Sequence, residues 1–250
     1  MKVPEEVKKK IIENNSKISE LLAENEELLR TEGLEIPEEN FAVDQDYKIS
    51  IPARYIRNKE YLVSRYHLEE IASDWIVRSN IGYALQLSDL HNYIINRFHL
   101  WGSVASMFYK SAIINLISIF EAIVLECASQ MCYRANDCKL KRNECKYSFN
   151  QKQRSNSFEA LKRINDLQIT TFAEDELTRI NELIGLRNRV HIRLSDKKEF
   201  TEKEFNVDVY NEVIRLLQRI DNEIYQNGVP RYRSCQAEQN RAELAEIFGE

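Results

Sequence analysis

The chain has 250 residues, enough for one large domain or two small ones with a sizeable core. A formal net charge of −5, with 43% hydrophobic and 30% charged residues, excludes a generic polyanion binder and wholesale disorder; any contact with nucleic acid has to come from a local basic patch. Six glycines and four prolines are few, and both residues punctuate helices and build turns, so the predicted fold class is all-α with long helices and few hairpins. Five cysteines form no regular framework, and the start MKVPEEVKKK lacks an apolar segment. The expectation is a cytoplasmic protein with reduced thiols and no cofactor.

Residues 1–35 read as an N-terminal amphipathic helix, from about Pro4 to Arg30. Ile11, Ile18, Leu21 and Leu28 fall at a/d-like spacing, with Asn14 and Asn25 on the same seam. A seam this short, with polar residues in it, is marginal for a coiled coil, and the expected arrangement is a helix lying on the protein's own body. Gly33 and Pro37 break the pattern. Residues 36–57 follow as an extended connector in which Tyr47, Ile49 and Ile51 alternate.

Residues 58–227 carry the pattern of a helical bundle. Leu68, Ile71, Trp75 and Ile76, then Leu87, Leu90, Ile94 and Ile95, recur at helical spacing. A central helix is predicted from about Trp101 to Tyr133. It is apolar nearly all round, but Lys110, Glu121 and Glu126 interrupt it, which argues for the buried helix of a bundle and against a membrane span. The stretch RANDCKLKRNECKYSFNQKQR reads as a long basic loop, or a loop with a short helix. Helices are then predicted at Phe158–Leu167, Glu174–Leu194 and about Val207–Tyr225, the last with Val209, Val213, Leu216, Leu217, Ile220 and Ile224 as one stripe. Asn227-Gly228-Val229-Pro230 stops it, and residues 228–250 form a tail.

The segment Glu182-Leu183-Ile184-Gly185-Leu186-Arg187-Asn188-Arg189-Val190-His191-Ile192-Arg193 carries the most chemistry. Arg187 and His191 are four apart, so on a helix they share a face with Cβ atoms roughly 5–6 Å apart. A fixed cation beside an imidazole that titrates near neutral pH suits proton transfer at a phosphodiester. The same residues also suit a helix end, where cations complement the negative pole.

Taken in order, a buried helix YKSAIINLISIFEAIVLE, an insert, a helix with LRNRVHIR and a closing helix YNEVIRLLQRIDNEIY resemble the HEPN superfamily of helical-bundle proteins. Many of its members are RNases of toxin–antitoxin and antiviral systems. The resemblance covers residues 98–225 and implies a bundle of four to five core helices, with the N-terminal helical region outside it. It also implies a homodimer in which the motif arginine and histidine of both copies meet. Carried over, the catalytic set is Arg187, Asn188 and His191, with Glu121 and Arg193 in support. Three residues separate Arg187 from His191, where the family pattern usually leaves four to six. A four-residue offset aligns the two side chains within roughly 40° on an undisturbed helix. Arg193 stands where one subgroup has a tyrosine, which argues against regulation by modification there.

The function implied is metal-independent RNA cleavage, possible partners being RNA and an antitoxin or other regulatory protein, with no membrane. Arg189, Lys139, Lys141, Arg142 and Lys146 are candidate RNA contacts, with Tyr133, Tyr147 and Phe149 interleaved for stacking. The alternative is a catalytically inactive HEPN-like dimer that binds RNA or a protein. Cys132, Cys138 and Cys145 are spaced too widely for a zinc knuckle, and His67, His91 and His99 read as packed or surface histidines.

Overall fold

Short polar side chains start four of the described helices. Asn58, Asp74 and Asn156 each accept a hydrogen bond from a backbone N–H two or three residues on, and Asn206 Oδ1 accepts from both Asp208 and Val209. Each satisfies donors that the first helical turn leaves unpaired. Glu176 does the same in reverse, its carboxylate accepting from the N–H of Ala173 at 2.9 Å.

The computed structural model describes residues 3–31, 53–72, 74–130, 151–187 and 204–227. Among these, every regular element is helical and there is no strand. The chain divides into two compact units, residues 1–51 and 52–250. The dividing line falls within the predicted connector, whose residues 36–52 lie outside the described set, as does the predicted tail.

The first unit contains α1, Glu5–Thr31, a continuous helix with none of its residues buried. The second begins with a 3₁₀ turn, Ala53–Tyr55, then α2 (Lys59–Arg65), α3 (Leu68–Ile71) and α4 (Trp75–Arg97). Next come α5 (Gly102–Gln130), α6 (Gln151–Ser155), α7 (Ser157–Asp166), α8 (Glu174–Arg187) and α9 (Val207–Asn227).

The apolar character of α5 decides the packing. A helix that is hydrophobic all round has to be covered on every side, and α4, α7, α8 and α9 all pack against it. Ala112, Ile113, Ile119, Ile123, Val124, Cys127 and Ala128 are essentially inaccessible. The neighbours contribute one stripe each: Leu177, Ile180 and Leu183 from α8, and Val213, Leu217, Ile220 and Ile224 from α9. Among the described helices α5 is long and apolar enough to cross a membrane, and 61% of its most apolar stretch is buried. Burial at Cys127 pushes its thiol up to about 12, so it stays protonated and inert.

Two polar contacts inside the bundle join its elements. Arg57 grips the buried Asp89 through its backbone N–H, Nε and Nη2 at 2.9, 2.9 and 2.6 Å, tying the chain before α2 to α4. His91 Nε2 lies 3.2 Å from Ser111 Oγ, and burial lowers the ring's pKa from its usual 6.5.

Two outcomes follow for stability. Ile123→Ala, which empties space on α5, should lower the unfolding free energy by about 2–5 kcal/mol in urea titration. His91 is held neutral, and its folded pKa is depressed. Its contribution is therefore present above about 6.5 and lost as pH falls below that value. The difference in urea midpoint between wild type and His91→Gln should shrink as pH is lowered through this range.

Candidate functional site

The described part of the motif lies at the end of α8. Leu183 and Leu186 are buried, which turns the next residue, Arg187, toward the rim of the bundle. Its guanidinium Nη1 donates to Glu121 Oε2 on α5 at 2.7 Å. The Arg187 side chain is 47% exposed and that of Glu121 only 8%. The other Glu121 oxygen, Oε1, accepts from Ser157 Oγ at 2.5 Å, and Ser157 is the first residue of α7. Three helices thus meet at one buried carboxylate.

Bringing a carboxylate into an apolar helix is costly unless its lone pairs are satisfied. Ser157 and Arg187 supply one donor each, and this explains why α5 tolerates Glu121 between Phe120 and Ala122. For Arg187 the effect is orientation. One nitrogen is fixed on Glu121, while among the described residues the rest of the guanidinium takes no partner and half the side chain faces solvent. A planar cation held in this way can offer its remaining N–H groups to an oxyanion.

Charged bridges set the position of α8. Arg179 binds Glu212 of α9 through Nε and Nη2, both at 2.9 Å. Arg219 of α9 reaches Glu176, Glu223 and the Thr171 carbonyl, with its guanidinium 4.4 Å from the Phe172 ring centre. In the groove between the two helices, about 360 Å³, four of the lining charges are engaged in pairs, Arg179 with Glu212 and Arg219 with Glu176.

Of the residues named from the sequence, the structure brings Arg187 and Glu121 together. Asn188, Arg189, His191 and Arg193 lie outside the described residues, as do Lys139, Lys141, Arg142 and Lys146 and the cysteines at 132, 138 and 145. Lys152, from the end of the basic stretch, pairs with Glu159 at 3.2 Å. Among the described residues no group of three or more His, Cys, Asp and Glu side chains is gathered to hold a metal ion.

Ser157 escaped the sequence reading because a serine at a helix start is ordinary; only the packing of α7 on α5 aims it at Glu121. A second polar cluster also escaped it. His67 has a left-handed backbone, φ 46°, immediately before α3. Its ring stacks on Tyr225 with centroids 3.6 Å apart. Nδ1 stands 3.4 Å from the buried Asp221 carboxylate, near enough for attraction but outside hydrogen-bond alignment. Burial raises the Asp221 pKa, opposed by the adjacent His67. An aspartate on the apolar stripe of α9 was the available signal.

Comparison of the chain with protein-family models, curated proteins and solved structures found no match.

Removing Arg187 would leave Glu121 buried with one acceptor unpaired among the described residues. Arg187→Ala should reduce stability by about 1–3 kcal/mol, toward the lower end because water reaches half of the pair. Ser157→Ala should lose about 1 kcal/mol. A double-mutant cycle between Arg187→Ala and Glu121→Ala, read by urea unfolding, should give a coupling of at least about 0.5 kcal/mol; strict additivity would show that the pair is idle.

Proposed function

We propose that the chain is a metal-independent endoribonuclease of HEPN type, acting as a homodimer. The observation that carries this reading is the Glu121–Arg187 contact: a half-exposed arginine, the first residue of the RNRVH motif, is anchored by a buried carboxylate. Anchoring is what an electrostatic catalyst needs, since a cation that is already oriented costs no reorganisation when charge develops.

In this reading Arg187 binds the non-bridging oxygens of the scissile phosphate and stabilises the phosphorane. A base removes the proton of the ribose 2′-hydroxyl, whose oxygen attacks phosphorus. The 5′-oxygen leaves with a proton from an acid, giving a 2′,3′-cyclic phosphate and a 5′-hydroxyl. His191 has the pKa range for such transfers, and two copies across a dimer supply both a base and an acid. Asn188 steadies the imidazole or the phosphate. Arg189, Lys139, Lys141, Arg142 and Lys146 contribute attraction to the RNA backbone, and a toxin or antiviral role would require a restraining partner.

The same contact also favours a second reading. An arginine paired with a buried carboxylate is neutralised as a unit, which suits a structural clasp in a non-catalytic dimer that binds RNA or a protein.

The deciding assay is cleavage of labelled RNA by wild type and His191→Ala, with circular dichroism to confirm the fold. The nuclease reading expects a loss on the order of 10²-fold or more in His191→Ala, a terminal cyclic phosphate, and a rate unchanged by chelator. Arg187→Lys, which keeps a cation for Glu121, should also be strongly impaired because the planar fork is lost. RNA binding without cleavage in the wild type would establish the scaffold instead.

A further inference from the structure

The helix α1 carries an apolar seam that is exposed among the described residues. Val7, Ile11, Ile18, Leu21 and Leu28 are 43–60% exposed, on a helix of 27 residues none of which is buried. In heptad terms Ile11, Ile18 and Asn25 occupy a, while Val7, Asn14, Leu21 and Leu28 occupy d. A single helix draws most of its stability from packing of such a face, so this seam calls for an occupant.

We propose that the occupant is α1 of a second copy of this chain, running antiparallel in one defined register. In an antiparallel pair each a residue shares a layer with a d residue of the other helix. Setting Ile18 against Leu21 of the second copy places Ile11 against Leu28 and Asn25 against Asn14. Every layer from Ile11 to Leu28 is then apolar on apolar or amide on amide, while Val7 lies beyond the overlap of the two helices. A shift of one heptad either way breaks this, for instance by setting Asn14 against Ile18 or Asn25 against Leu21. Paired amides can satisfy one another inside the seam, whereas an asparagine facing isoleucine is left without a partner. The polar seam positions, which weaken the coil, are thus what defines its register.

The flanking charges separate antiparallel from parallel pairing. In the antiparallel register the neighbouring g positions are Lys17 and Glu24 of the other copy, an opposite-charge contact made twice by symmetry. Among the described residues neither side chain has an ion-pair partner of its own. In an in-register parallel pair, Lys17 would face Leu22, Glu24 would face Leu29, and Lys8, Lys10 and Lys17 of both chains would crowd one half of the coil. The antiparallel pair is two-fold and closed, so it stops at a dimer contact. It stands independently of the nuclease reading.

Sedimentation equilibrium of the full chain at micromolar concentrations tests this. Lys17→Glu and Glu24→Lys each create two like-charge contacts and should weaken self-association roughly tenfold. The double variant Lys17→Glu/Glu24→Lys should restore it, and high salt should level all of these chains. Leu21→Asn, which faces an amide to Ile18, should weaken association further than either charge reversal. The readout is the change caused by substitutions in α1 alone, which an interface elsewhere in the chain would not produce. A monomeric wild type, or association unmoved by Leu21→Asn, would overturn the proposal. Single charge variants without effect, or a double variant that fails to recover, would overturn the antiparallel register.

Discussion

The helix α5 has to be covered on all sides, and the rest of the second unit is arranged by that need. Its side chains are apolar on nearly every face, so no orientation leaves water against a polar stripe. The neighbouring helices respond with ordinary amphipathic patterns, one buried stripe each. The same constraint isolates the few charges that α5 carries. Glu121 cannot reach bulk water without leaving the core, so its partners have to come to it, and Ser157 and Arg187 do.

That exchange links stability to the geometry of the site. Buried charge is weak evidence for stability in general, because desolvation offsets attraction. Its value here is geometric: the carboxylate makes the end of α8 converge on α5 and on the start of α7. The surface network of Arg179, Glu212, Arg219, Glu176 and Glu223 acts on the same helix from the other side. Each exposed pair contributes little energy alone, but together they resist sliding of α8 along α9. An arginine whose helix cannot slide is held in one place, here with Nη1 on Glu121.

The first unit follows a different logic. α1 shows the same alternation of apolar and charged residues as the bundle helices, but at a stricter heptad spacing and with amides in the seam. A stripe built for a globular core is wide and avoids asparagine; a narrow seam with asparagines suits pairing between helices. An unpaired polar group is costly in either setting, and a two-helix seam can accept amides in matched pairs. The bundle buries its stripes within the second unit, whereas the apolar seam of α1 is exposed among the described residues.

Much of the architecture was legible before any coordinates. Scarce glycine and proline, the apolar run through Ile113–Val124 and the stripes of α8 and α9 determine an all-α fold, because helical periodicity is local and survives any packing. Helix starts were less legible, since Asn58, Asp74, Asn156 and Asn206 look like any polar residue until the backbone turns beneath them. The Arg187 motif stood out as a cluster of cations in an apolar helix, but its link to Glu121 spans 66 positions in sequence. Such a contact depends on the relative rotation of two helices, and periodicity says nothing about rotation. Ser157 and the His67–Asp221 pair belong to the same class: each residue is unremarkable alone, and only the tertiary structure, by closing α7 on α5 and α9 on the start of α3, decided that a buried carboxylate would meet its partner there.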